Sequence, residues 1–144
     1  MTHEYAGKYS AKHAAGTVAA PAISAALEQR ADLGRVTCAA AFEVATALGV
    51  SAPEVGKTAD LLEYRIVRCQ LGLFGYEPEK RIVRPADEVS AVVRGRLVGA
   101  AFDDKISCAR CWEIADELSL EKMAVSAACE RLGLKVGPCQ LGAF

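Results

Sequence analysis

The chain has 144 residues and a mass of 15.2 kDa, which suits one ordinary domain or two very small ones. Its hydrophobic content of 52% excludes wholesale disorder, and its net charge of −1 excludes a strong overall attraction to nucleic acid or acidic membranes. No apolar run approaches the ~20 residues that span a bilayer, and residues 1–20 form a polar tail, so we expect a cytoplasmic protein without a membrane partner.

The first two predicted helices follow this tail. Apolar residues spaced by four predict a helix near residues 23–33, and a second apolar stripe predicts a helix over residues 38–48. Gly49 follows that helix at the position where a left-handed residue ends it.

A third helix and a strand complete the first half. Ser51 and Glu54 have the spacing of a capping box, and Pro53 suits a first helical turn, so we expect a helix from about 51 to 64. The β-branched and alternating residues after it predict a strand over 65–74.

A hairpin or linker at residues 75–90 separates this half from a second one with the same plan. Helices are predicted near 92–102, 108–118 and 121–132, and a strand follows them.

The two halves also match in sequence. Residues 21–74 align with residues 91–144 without a gap, and the alignment holds 14 identities. Since the matched positions are mostly apolar and helically spaced, we interpret the chain as an internal duplication. The expected fold is mainly α, with two units of three helices and a strand. The identities outside the closing segment are Leu27/Leu97, Ala31/Ala101, Cys38/Cys108, Ala39/Ala109, Glu43/Glu113, Ala45/Ala115, Leu48/Leu118, Val55/Val125 and Leu62/Leu132.

Each half ends in the same segment, Cys-Gln-Leu-Gly, at residues 69–72 and 139–142. The second of these has no following partner within its own half, so we expect the two segments to pair as strands. The predicted β element is therefore a small seam formed by both CQLG segments, where glycine allows close backbone approach.

Residues 41–60 resemble a helix-turn-helix, the motif of many bacterial and archaeal transcription regulators. Ala45 is small where the helices cross, and Gly49 makes the turn. Residues 111–130 are a weaker match, because Ser119 replaces the turn glycine. With the preceding helix and the following strand, each half resembles a winged-helix-like unit.

The resemblance implies that the third helix of each unit faces the DNA groove. The face carried over comprises Ser51, Ala52, Pro53, Gly56, Lys57 and Asp60 in the first unit, and Glu121, Lys122, Met123, Ser126, Ala127 and Glu130 in the second. Ser51, Lys57, Lys122 and Ser126 are its candidate DNA contacts. The densest basic stretch lies outside these helices, so we expect phosphate contacts from Arg65, Arg68, Lys80, Arg81 and Arg84.

The cysteines leave three interpretations open. Packing as small apolar side chains is the one that composition favours, with no cofactor and no disulfide. The second is a zinc or iron–sulfur site, and the third is a redox-active pair. The candidate ligands are Cys38, Cys69, Cys108, Cys111 and Cys139, whereas His3 and His13 are expected to be incidental.

No catalytic pattern is present, so we do not expect an enzyme. The leading hypothesis is a transcription regulator that binds double-stranded DNA through tandem helix-turn-helix units. The alternatives are a protein–protein interaction module on the same fold and a cysteine-based metal or redox sensor. The sequence leaves a homodimer open.

Overall fold

A computed structural model describes residues 8–144, and these residues confirm the mainly helical prediction. His3 lies outside them. They contain six α-helices, four short strands and a 3₁₀ turn at Tyr9–Lys12. The helices are α1 (Pro21–Arg30), α2 (Cys38–Leu48), α3 (Ala52–Leu61), α4 (Ala91–Ala100), α5 (Cys108–Glu117) and α6 (Lys122–Leu132). The strands are β1 (Arg35–Thr37), β2 (Arg65–Val67), β3 (Lys105–Ile106) and β4 (Lys135–Val136).

The predicted turn between the second and third helices is present in both halves. The chain changes direction by 117° between α2 and α3. Gly49 ends α2 with a φ of 63°, and Ser119 holds the same left-handed conformation after α5 with a φ of 55°. Ser51 and Glu54 form the predicted capping box at the start of α3. The caps therefore set where these helices begin and end.

The prediction that the two CQLG segments pair as strands is wrong. β1 pairs with β2 in parallel, and β3 pairs with β4 in the same way, so each half forms its own small sheet. The registers match between halves, because Arg35 lies opposite Arg65 and Lys105 lies opposite Lys135. The strand predicted after each third helix therefore exists only as a short segment.

The CQLG segments are turns, because their glycines adopt left-handed backbone conformations that a strand cannot hold. Gly72 has a φ of 74° and Gly142 a φ of 75°. Each glycine N–H donates to the carbonyl of the cysteine that starts the turn, at 2.9 Å in the first half and 3.1 Å in the second. We call residues 69–74 and 139–144 the CQLG turns.

The second helices of the two halves bury the same positions. In α2 these are Cys38, Ala41, Val44 and Ala45, and in α5 they are Cys108, Cys111, Ile114 and Ala115. Both sets belong to one hydrophobic core that extends through both halves.

The segment at residues 75–90, predicted as a hairpin or linker, is part of this core. Tyr76 and Lys80 close a tight turn, after which Val83 is buried. The N–H groups of Ile82 and Val83 donate to the carbonyl of Gly72 in the first half. The N–H of Ala86 then donates to Ala127 on α6 at 3.0 Å, so the segment joins the two halves by hydrogen bonds.

Candidate functional site

Part of the predicted groove-facing surface of α3 and α6 is buried. Gly56 and Asp60 are buried on α3, and Ser126 on α6 is fully buried. Ser126 therefore cannot contact DNA in this structure, and that prediction is corrected. The reason is that each third helix packs against a segment of the opposite half.

These covering segments are the CQLG turns, which cross between the halves. The backbone of Leu141 lies so close to α3 that a Cβ on Gly56 would overlap its carbonyl oxygen. In the other direction, Gly72 packs against the side chain of Met123 on α6. The two turns thus take the place that the resemblance assigned to DNA bases.

Each third helix forms an ion pair with the segment that precedes its half, and sequence analysis did not predict these pairs. Lys12 and His13 both contact the carboxylate of Asp60 on α3, at 3.0 Å and 2.8 Å. On α6 the equivalent acid is Glu130, which pairs with Arg81. Both cationic segments precede the first helix of their half. The same acid position therefore fastens the preceding segment in each half.

The other predicted contacts on the third helices have mixed environments. Ser51 accepts the N–H of Glu54 as a helix cap, which gives its side chain a structural role. Lys57 is exposed beside a cavity of about 320 Å³ that Asp60 and Cys139 also line. Lys122 is half-buried, with Nζ 4.6 Å from the centre of the Trp112 ring. Only Lys57 on this predicted surface remains an exposed cation.

The basic stretch predicted to bind phosphates divides into two groups. Arg81 pairs with Glu130, and Arg84 lies 3.6 Å from a carboxylate oxygen of Glu79. Arg65, Arg68 and Lys80 take part in none of the ion pairs between residues 8–144 and line a common cavity of about 490 Å³. We call this cavity the basic groove.

The basic groove contains two cations that sequence analysis missed. Its charged lining is Arg30, Arg35, Arg65, Arg68 and Lys80, with Asp32 and Glu77 as the acids. Arg35 is brought to Arg65 by the parallel register of β1 and β2, and it lies 3.5 Å from Glu77. Both strands are short, so the sequence carried little signal for this pairing. The matching register of the second half places Lys105 opposite Lys135.

Four cysteines occupy matching positions in the two halves. Cys38 is the first residue of α2 and Cys108 the first residue of α5, while Cys69 and Cys139 start the CQLG turns. We call these four residues the thiol centre. Cys38, Cys69 and Cys108 are buried and Cys139 is half-buried, and none of them forms a disulfide.

The thiols of the centre are close enough to influence one another. The pKa of Cys38 is raised to about 12, mainly by burial and to a smaller extent by the neighbouring thiols, and a hydrogen bond from the Gln70 backbone opposes the rise. Burial likewise raises the pKa of Cys108 to about 11, opposed by a hydrogen bond from Gln140. The pKa of Cys69 is also raised by burial. Cys38, Cys69 and Cys108 therefore keep their protons at neutral pH.

The remaining two cysteines form a separate pair. Cys111 on α5 and Cys129 on α6 are both fully buried and hydrogen-bonded to each other. This contact and burial raise the pKa of Cys111, whereas the proton that Cys111 donates lowers the pKa of Cys129. Cys111, predicted as a possible ligand with the other four, thus has a different partner.

Comparison of the chain with protein-family models, with curated proteins and with solved structures gives no match to any of them. Within residues 8–144 no single helix is long and apolar enough to cross a membrane, and the α2–α3 pair, which has the combined length and composition, is bent by 117°.

Proposed function

We propose that the protein is a DNA-binding regulator built from two duplicated helix-turn-helix units, and that it binds the DNA backbone through the basic groove. The single observation that carries this proposal is the concentration of five cations and two acids around one cavity. Phosphate is the anion that such a set of arginine and lysine side chains suits.

The placement of the cations around the groove supports an anionic ligand. Arg35 and Arg65 face each other across β1 and β2, and one carboxylate, that of Glu77, lies within ion-pair distance of Arg35. Arg68 stands 5.4 Å from the centre of the Tyr76 ring, which keeps its guanidinium beside the groove. A phosphate oxygen between these cations would relieve their mutual repulsion.

Low sequence selectivity follows from the covered third helices. Base recognition requires side chains that reach base edges, and Lys57 is the one exposed cation on the predicted faces of α3 and α6, which the CQLG turns cover at Gly56 and Met123. Phosphate contacts alone position a protein on DNA without specifying sequence. The proposed binding is therefore strongly dependent on salt and only weakly dependent on sequence.

The test is fluorescence anisotropy with labelled duplexes of unrelated sequence over a salt series. Each phosphate contact contributes roughly 0.9 to the salt slope, so Arg65→Ala and Arg68→Ala should each lower the slope by about that amount. Arg94→Ala on α4 is the matched control, because Arg94 is exposed and lies outside the groove. It should leave the slope unchanged.

Absence of binding by the wild-type chain at low salt would contradict the proposal. The interaction module is then the second candidate function, and exposed apolar side chains favour it. Leu33 is 84% exposed and Phe102 is 86% exposed, and both lie in the turns that join the first helix of each half to its first strand. Such side chains are common in protein interfaces.

A further inference from the structure

Two aromatic contacts mark a local twofold axis between the halves. Phe42 meets Trp112 with ring centres 4.3 Å apart, and Phe74 meets Phe144 at 5.8 Å. In each pair the partners are separated by the same offset as the repeat. Because equivalent residues touch each other only beside a twofold axis, both pairs locate that axis.

The thiol centre lies along the same axis. Cys38 and Cys108 stand one helical turn before Phe42 and Trp112, so each thiol shares a helix face with an axial ring. Cys69 and Cys139 are tied to the other aromatic pair, since their N–H groups donate to the carbonyls of Phe74 and Phe144 at 3.1 Å and 3.0 Å.

Each half directs hydrogen-bond donors at its sulfurs. The side-chain amide of Gln140 lies 3.3 Å from the sulfur of Cys108, and that of Gln70 lies 4.0 Å from the sulfur of Cys38. Backbone N–H groups in the CQLG turn oppose the rise in the pKa of Cys69 that burial causes. Donors of this kind stabilise a thiolate or a metal-bound sulfur, whereas a cysteine that only fills space does not need them.

We propose that Cys38, Cys69, Cys108 and Cys139 hold an iron–sulfur cluster on the axis between the two halves. Four cysteine thiolates are the ordinary ligand set of such clusters. Each half supplies one ligand from a helix start and one from a CQLG turn, so the cluster would join the halves. This explains why the cysteine and the glutamine of that segment both occur twice.

A single metal ion fits the arrangement less well than a cluster. Four sulfurs around one zinc ion lie at about 2.3 Å from it, which requires close convergence. Among residues 8–144 no three Cys, His, Asp or Glu side chains are placed to hold one ion. A cluster spreads its ligands farther apart, because several irons and sulfides lie between the thiolates.

The site also has an entrance. Cys139 lines the cavity of about 320 Å³ next to Lys12, His13 and Asp60. Cys139 is the half-buried member of the thiol centre, so we expect iron and sulfide to enter beside it.

The test is anaerobic reconstitution of the whole chain with ferrous iron and sulfide. Bound iron, acid-labile sulfide and visible charge-transfer absorbance are then measured after removal of excess reagents. We expect about two or about four irons per chain, with matching sulfide. Serine variants at Cys38, Cys69, Cys108 and Cys139 should each lose most of the iron. Gln140→Leu should lower the affinity for the cluster about tenfold, as loss of a supporting hydrogen bond does at metal sites.

The matched control is the double variant Cys111→Ala/Cys129→Ala, which removes the two cysteines outside the centre and should keep full iron and sulfide. Far-ultraviolet circular dichroism shows which variants are folded. If the serine variants unfold, the result rests on the wild-type chain and this control. A folded wild-type chain that takes up no iron and sulfide, or only zinc, overturns the proposal. So does equal iron in wild-type and folded serine variants.

Discussion

The third helices of the two halves, α3 and α6, have different residues at equivalent buried positions. Position 56 is glycine and its equivalent at 126 is serine, and both are buried. At Gly56 the backbone of Leu141 approaches so closely that no side chain fits. Ser126 carries a hydroxyl without a hydrogen-bond partner among the described residues. The two third helices therefore differ in how closely their buried positions are packed. The correspondence between the halves is only approximate.

The cysteines also differ between the two halves. Four of them occupy equivalent positions in both halves, whereas Cys111 and Cys129 replace Ala41 and Ala59 of the first half. All four of those replaced positions are buried. Four cysteines therefore match between the halves, whereas Cys111 and Cys129 lie where the first half has alanine.

The largest effect is expected from Gly56→Ala. The added Cβ would meet the backbone of Leu141, which cannot move aside as a flexible side chain can. We expect the free energy of unfolding to fall by about 3 kcal/mol, at the upper end for overpacking. Urea denaturation measures this loss.

Gly99→Ala is the matched control for that variant. Gly99 lies in α4, and nothing is within 4 Å of the position that its Cβ would occupy. Alanine should raise the free energy of unfolding by about 0.5–1 kcal/mol, because glycine is a poor helix former. Equal effects of the two alanines would show that the halves do not make the close contact at Gly56.

A slightly smaller effect is expected from alkaline pH on the metal-free chain. The folded-state pKa of Cys38 is raised from 9.0 to about 12, and that of Cys108 to about 11. Below pH 9 both states hold these protons, whereas at higher pH only the unfolded state releases them. Stability should therefore fall between pH 9 and 12, by roughly 2 kcal/mol after allowance for local relaxation.

Serine variants test the thiols of the two halves separately. Cys38→Ser should reduce the loss of unfolding free energy between pH 9 and about pH 12. Cys108→Ser should reduce it only between pH 9 and about pH 11. The measurement is urea denaturation across that range in the presence of a reductant. Identical pH curves for wild type and both variants would show that these thiols do not titrate differently in the folded chain.

The helices could be predicted from the sequence because their signals are local. The Ser51–Glu54 capping box and the left-handed Gly49 depend on residues within one turn of each other. The apolar spacing of α2 predicted its buried face only in part, because Ala45 is buried whereas Phe42 is half-buried and Leu48 is 40% exposed. The ends of the helices were predicted less well. Helix α1 was expected to run to about residue 33, but it ends at Arg30, and Asp32 and Arg35 close a turn after it.

The remaining features depend on contacts that are distant in sequence. Arg35 joins Arg65 through strands of only three residues each, and the pairing of Lys12 with Asp60 spans separate elements. The CQLG segment was predicted as a strand because β-branched residues precede it. The left-handed backbone conformation of Gly72 makes it a turn. Sequence analysis located the cysteines of the thiol centre, and only the fold showed that Gln70 and Gln140 point at two of their sulfurs.

A moderate effect is expected at the axial aromatic pair. Phe74 and Phe144 meet edge to face, with an interplanar angle of 85°. A double-mutant cycle of Phe74→Leu and Phe144→Leu should give a coupling free energy of about 1 kcal/mol. Phe42→Leu with Phe144→Leu is the control cycle, because these two rings belong to different pairs. Comparable coupling in both cycles would remove the evidence for a direct contact.

The smallest effect is expected when the second half is given the side chains of the first. Cys111→Ala and Cys129→Ala together reproduce Ala41 and Ala59, which pack the equivalent contact between α2 and α3. The thiols contact each other, so removing both leaves neither sulfur without its partner. The double variant should lose less than about 1 kcal/mol of unfolding free energy, less than the two single variants sum to. Urea denaturation of the three variants checks this, and a loss near that of Gly56→Ala would mean that the pair has a role that alanine cannot replace.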